Sequence, residues 1–261
     1  MGIFGTIVGG TLGFLFGGGP LGAIMGAAIG SNFGGGREGA TNRTRGGGRM
    51  AAHSARDMQM MFAIALTTLA AKVAKADGKV TPIEIQTFDN FLQQSLRLST
   101  ADRQIAAKVF NEAKNSDTPV SEFTHQIRSL FRAQPERLRD IVSILLAVAL
   151  ADGHLHPAEE ILIQRIARDF RMTDAEYQSC KATFNAQHGG RVTIESAYEV
   201  LGVSSSATDA EVKSAHRKLV REYHPDTLQS KGLPEEFMEY ANDKMAAIND
   251  AWSRVKKERA I

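Results

Sequence analysis

The chain has 261 residues, with 31 Lys and Arg against 29 Asp and Glu, a net charge of +2. That balance gives no global pull toward nucleic acid. The single cysteine, Cys180, excludes an intrachain disulfide framework and a Cys-rich zinc site and fits a reducing compartment. The length allows two domains plus accessory segments.

Residues 1–36 hold no charged side chain and 14 glycines. Ile3, Phe4, Ile7, Val8, Leu12, Phe14, Leu15, Phe16, Leu21, Ile24, Met25 and Ile29 supply apolar bulk. The stretch exceeds the ~20 residues that a spanning helix needs, and no basic region precedes it as in a signal peptide. A transmembrane segment is therefore expected, as a single span. The alternative is a hairpin of two short helices turning at Gly17 to Pro20. Gly5, Gly9 and Gly13, then Gly22, Gly26 and Gly30, recur every four residues. On helices they would form a smooth face for close approach of a second copy in lipid, and so a homodimer.

Arg37, Arg43, Arg45, Arg49 and Arg56 follow, opposed nearby only by Glu38 and Asp57. This excess predicts that the C-terminal flank faces the cytoplasm and the short N-terminus lies outside. Residues 37–51 read as a flexible linker.

Residues 52–186 read as one helical domain without strand signals. Phe62, Ala65, Leu66, Leu69 and Val73 mark one amphipathic helix; Leu138, Ile141, Val142, Leu145, Leu146 and Ala149 mark another. Further helices are expected over 82–97, 100–115, 119–133, 157–170 and 173–185. An internal repeat lies here at a spacing of 75. Ala76-Asp77-Gly78-Lys79-Val80-Thr81-Pro82-Ile83-Glu84 parallels Ala151-Asp152-Gly153-His154-Leu155-His156-Pro157-Ala158-Glu159. Glycine ends one helix, proline opens the next, and glutamate at the third position completes a capping box with Thr81. The same pattern would also let Asp77, Glu84, Asp152, Glu159 and Glu160 converge as oxygen ligands for a divalent cation. His154 and His156 could add nitrogen ligands. The loop is too short for an EF-hand.

The last domain is expected over 187–261, where 11 Lys and Arg face 12 Asp and Glu, so basic character there is local. Ser196 to Val203 forms a short helix closed by Gly202. Thr208 or Asp209 can cap the next helix. In it Val212, Ala215, Leu219 and Val220 make an apolar face, while Lys213, Arg217 and Arg221 recur every four residues with Lys218 beside them. Pro225 stops the helix at His224. A further helix from Pro234 to about Lys257 carries Phe237, Tyr240, Ala241, Met245, Ile248 and Trp252 at helical spacing, so the two can pair along a shared seam.

Residues 194–257 resemble a J domain, on Tyr198-Glu199-Val200-Leu201-Gly202-Val203, the stretch Lys213 to Tyr223, His224-Pro225-Asp226, and Ala247-Ile248-Asn249-Asp250-Ala251-Trp252. The resemblance implies recruitment of a DnaK-type heat-shock chaperone and stimulation of its ATPase by contact rather than acid–base chemistry. It places that contact on His224, Pro225, Asp226, Lys213, Arg217, Lys218 and Arg221. A fourth helix of the family is short or missing. The middle domain resembles the TerB family, in which paired acidic loops are thought to bind metal. The order of glycine-rich segment, TerB-like domain and J domain is similar to the DjlA-type membrane-anchored bacterial co-chaperones.

The sequence therefore predicts an all-α, non-enzymatic co-chaperone at the bacterial inner membrane. Its TerB-like domain would select unfolded or regulatory clients or sense a condition. The alternative is a metal-responsive stress sensor that uses the J domain only for docking. No cofactor is required. No nucleophile–base pair, phosphate loop or aromatic-laced basic stripe for nucleic acid is present.

Overall fold

A computed structural model describes residues 19–30, 55–76, 78, 80–151, 155–187, 193–224, 226–227 and 237–261. Among them are eleven helices and no strand.

α2 (Ala55–Ala74) is the axis of the larger domain. Every side chain from Gln59 to Ala74 is buried, as a helix apolar nearly all round requires. Its polar residues are mostly satisfied inside. Gln59 Nε2 donates to the Leu96 carbonyl at 3.2 Å and Thr67 Oγ1 to the Ala63 carbonyl at 2.7 Å. Lys72 Nζ donates to the Ser116 carbonyl at 2.6 Å and lies over the Phe123 ring. Burial and nearby Lys75 lower its pKa. Around α2 pack α4 (Thr100–Asn115), α5 (Val120–Leu130), α6 (Pro135–Ala149) and α7 (Pro157–Asp169). Phe62 and Phe131 meet edge to face at 6.2 Å.

The 75-residue repeat shapes this domain. α3 (Pro82–Gln94) and α7 are both 13 residues long and begin with proline. Each starts with a capping box, Thr81 with Glu84 and His156 with Glu159. The parallel continues beyond the loops. Arg97 and Arg171 both take positive φ, 42° and 62°. The next residue closes each turn, Leu98 N–H on the Leu92 carbonyl and Met172 N–H on the Ala167 carbonyl. The following helices, α4 and α8 (Asp174–Gln187), open with Ser99–Asp102 and Thr173–Glu176 bonds.

Only part of the apolar N-terminal stretch lies among the described residues. Its described part is α1 (Pro20–Gly30), 11 residues long and so about 16 Å, half of a bilayer core. Proline sets the helix start. Leu21, Ile24, Met25 and Ala28 are buried in the core that α4 and α5 share with α2, and the Leu21 N–H donates to Gln126 Oε1 at 2.9 Å. No described helix is long and apolar enough to cross a membrane. Of the expected glycine face, Gly22 and Gly26 lie on α1, with open space where a Gly26 side chain would stand. Gly30 ends α1. Gly5, Gly9, Gly13 and the rest of 1–18 lie outside the described residues, as does the expected linker over 37–51.

The smaller domain comprises α9 (Ile194–Val200), α10 (Asp209–Tyr223) and α11 (Phe237–Arg259). Gly202 closes α9 at φ 70°, with the Gly202 and Val203 amides bonded back to Glu199 and Tyr198. Tyr198, Leu201, Val212, Ile248, Ala251 and Val255 form its core, with Ala182 of α8 built in. Arg259 ties the end of α11 to Tyr198, to Asp209 and to the carbonyls of Ser205 and Ala207.

Candidate functional site

α10 is set by its start. Thr208 caps it: the Glu211 N–H donates to Thr208 Oγ1 at 3.3 Å, and the Thr208 N–H to Glu211 Oε2 at 2.7 Å. These bonds hold the Glu211 carboxyl below the usual range. Val212 is fully buried, and Leu219 and Val220 pack partly on the same core. The opposite side carries Lys213, Arg217, Lys218 and Arg221, all exposed. None of the four makes an ion pair with a described residue. Unpaired cations at this spacing are a ready surface for an acidic partner.

The helix ends as the sequence requires. His224 is its C-cap, in extended geometry with φ −64° and ψ 134°. The Asp226 N–H donates to His224 Nδ1 at 3.2 Å, which folds the tip into a small turn. Both side chains reach solvent, 48% and 89% exposed, so neither sits in an enclosed pocket where acid–base work is organised. Pro225 lies outside the described residues. Beside the stripe, His216 stacks on Trp252 at 4.5 Å and 7°. Burial lowers the His216 pKa, against a hydrogen bond to Asn249.

This tip is anchored in the other domain. Tyr223, just before His224, is buried, and its hydroxyl donates to Asp140 Oδ1 of α6 at 3.1 Å. Lys244 Nζ of α11 donates to the same oxygen at 3.3 Å, to the Tyr223 hydroxyl at 3.0 Å and to Ser143 at 3.2 Å. Arg137 lies 3.6 Å from the Asp140 carboxylate. A second bridge runs from Arg139 to Glu222 at 2.5 Å and to Glu176 at 3.0 Å. Burial works against the Arg139 charge, and Glu222, Tyr223 and Glu176 outweigh it. The Ser179 hydroxyl donates to the Val200 carbonyl at 2.9 Å. Cys180 is buried in this junction, which raises its thiol pKa. One signal was available: Lys244 falls on the apolar seam of Ala241, Ile248 and Ala251, where a lysine needs a partner.

The metal-ligand set is not assembled among the described residues, where no group of three His, Cys, Asp or Glu stands together. Glu84 and Glu159 are buried and accept from the amides of Thr81 and His156. His156 Nδ1 accepts from the Ala158 N–H, and Glu160 pairs with Lys181 at 2.7 Å. Asp77, Asp152 and His154 lie outside the described residues. Glu84 and Glu159 are thus engaged in the capping boxes of their own helix starts.

A helix-capped basic stripe, exposed His224 and Asp226 side chains at its end and a paired second helix define a J-domain protein, here joined to a TerB-like bundle. Family models agree: the DnaJ domain matches residues 196–260, tellurite resistance protein TerB residues 63–182, and the co-chaperone DjlA transmembrane domain residues 1–40. The co-chaperone protein DjlA of Photobacterium profundum is 34% identical, over 99% of this chain and all of that protein. That of Shewanella oneidensis is 34% identical, over 79% of this chain and 81% of its own length. That of Coxiella burnetii is 32% identical, over 72% and 74%. The chain belongs to the DjlA family of membrane-anchored co-chaperones. No solved structure matches.

Proposed function

We propose that the chain binds a DnaK-type chaperone through Lys213, Arg217, Lys218, Arg221, His224, Pro225 and Asp226, and accelerates its ATP hydrolysis. The observation that carries this is the run of four exposed cations on α10, without an ion pair among the described residues, leading to the exposed His224 and Asp226. The chain acts by contact: it favours the chaperone state poised for hydrolysis and supplies no reacting group of its own. Arginines after the apolar segment support a cytoplasmic position for both domains, where ATP is available. Anchorage confines the J domain to the bilayer surface. A second copy in lipid would double its local concentration. The TerB-like bundle is the part left to select unfolded or regulatory clients.

The test is steady-state ATPase of a DnaK-type chaperone with the full chain. Wild type stimulates; His224→Gln, with an unchanged helical circular dichroism spectrum, does not. Stimulation by His224→Gln equal to wild type rejects the assignment.

A further inference from the structure

The basic stripe does not face open solvent alone. A cleft of about 840 Å³ separates it from the start of α6. One wall is Arg217, Lys218 and Arg221 of the J domain; the other is Pro135, Glu136 and Arg139 of the TerB-like bundle. The charge in this cleft is lopsided. Arg139 is matched by Glu222 across the domain boundary, and Glu136 is buried. The three stripe cations are left without a described acidic partner. The cleft is also held at a fixed width. Asp140, one residue beyond Arg139, bonds to Tyr223 and Lys244 of the J domain in a buried network. The two walls therefore belong to one unit.

We propose that this cleft is a two-walled seat for an acidic segment of the chaperone, so that the TerB-like bundle contributes to docking through the exposed Pro135 edge of α6. The proposal rests on the co-chaperone reading above. It adds that the partner touches both domains at once. A J domain docked by its stripe alone would be indifferent to charge on α6. One docked in the cleft would not be, because a charge on the second wall faces the same acidic segment.

Pro135 is suited to the test. It is exposed and stands at the first position of α6, where glutamate is well tolerated. It takes no part in the Asp140 network. Full-length Pro135→Glu, Pro135→Lys and Pro135→Ala are titrated against a DnaK-type chaperone in the ATPase assay, beside His224→Gln. The half-saturating concentration is expected to rise about fivefold with glutamate and to fall about twofold with lysine. It should stay unchanged with alanine, and maximal stimulation should be the same for all three. The charge effects should shrink as salt is raised from low to physiological strength and beyond. If all three variants match wild type while His224→Gln abolishes stimulation, the second wall is rejected and the co-chaperone reading stands. If glutamate and lysine shift the half-saturation in the same direction, the acidic-segment proposal is likewise overturned. If wild type gives no stimulation, both fall.

Discussion

The Asp140 carboxylate is the point at which the two domains can be pulled apart with one substitution. It accepts from the Tyr223 hydroxyl at 3.1 Å and from Lys244 at 3.3 Å, with Arg137 at 3.6 Å. The Asp140 and Lys244 side chains are 4% and 7% exposed. Asp140→Ala removes the anion and leaves two buried cations beside a cavity. Breaking a buried pair from one side costs about 3–5 kcal/mol. Lys244 keeps its bonds to Ser143 and the Tyr223 hydroxyl, so the low end, about 3 kcal/mol, is expected here. Trp252, the only tryptophan, lies in the J domain and reports on it separately from the far-ultraviolet signal of the whole chain. In urea the wild type should lose both signals together. In Asp140→Ala the Trp252 transition should move to lower urea and separate from the helical signal. Asp140→Leu/Lys244→Met, which removes the Lys244 charge with its partner and leaves only Arg137 to face the lost anion, should recover at least half of the loss. A destabilisation by Asp140→Ala of less than about 0.5 kcal/mol, the size of an ordinary surface change, would refute this account of the junction.

Cys180 gives a second view of the same junction: thiol alkylation of the folded wild type at pH 8 should be slow, because burial disfavours the thiolate, and Asp140→Ala should accelerate it. Equal rates would show that the junction does not shield the thiol. His216 makes the J domain sensitive to acid. Its folded pKa lies below the ordinary value of about 6.5, so as pH falls the unfolded chain takes up the proton first. Stability is therefore retained above pH 7 and lost as pH falls through about 6.5 toward the folded value. His216→Phe should flatten this part of the Trp252-monitored urea midpoint between pH 8 and 5; an unchanged pH dependence contradicts the assignment. In α1, Ile24→Asp places a carboxylate in the bundle core and should abolish protection of the 21–28 amides in hydrogen exchange of the lipid-free chain, with α2 protection kept. Intact α1 protection would show that the Ile24 face is not what holds that helix.

Much of the fold was legible because it is encoded locally. Pro82 and Pro157 mark helix starts, Gly202 marks a helix end, Thr81 caps as its position three residues before Glu84 implies, and of the two candidates Thr208 and Asp209 the cap is Thr208. The basic stripe was legible for the same reason, since Lys213, Arg217 and Arg221 share a face through helical spacing alone. The junction was not legible. Asp140 and Lys244 are 104 residues apart, and no local pattern says that a carboxylate on α6 will meet an ammonium on α11. Arg97 and Arg171 hid the extent of the repeat, because positive φ at arginine follows from tertiary closure and carries no composition signal. The apolar stretch can be read in two ways. Leu21, Ile24, Met25 and Ala28 satisfy lipid and a protein groove equally well, and hydrophobicity alone does not distinguish the two.

The most direct measurement is single-turnover ATP hydrolysis by a DnaK-type chaperone as full-length protein is added. The account predicts saturable acceleration by wild type, a right-shifted curve for Arg217→Glu/Arg221→Glu, and none for Asp226→Asn. Acceleration by all three along one curve would contradict it, because stripe and tip would then be bystanders.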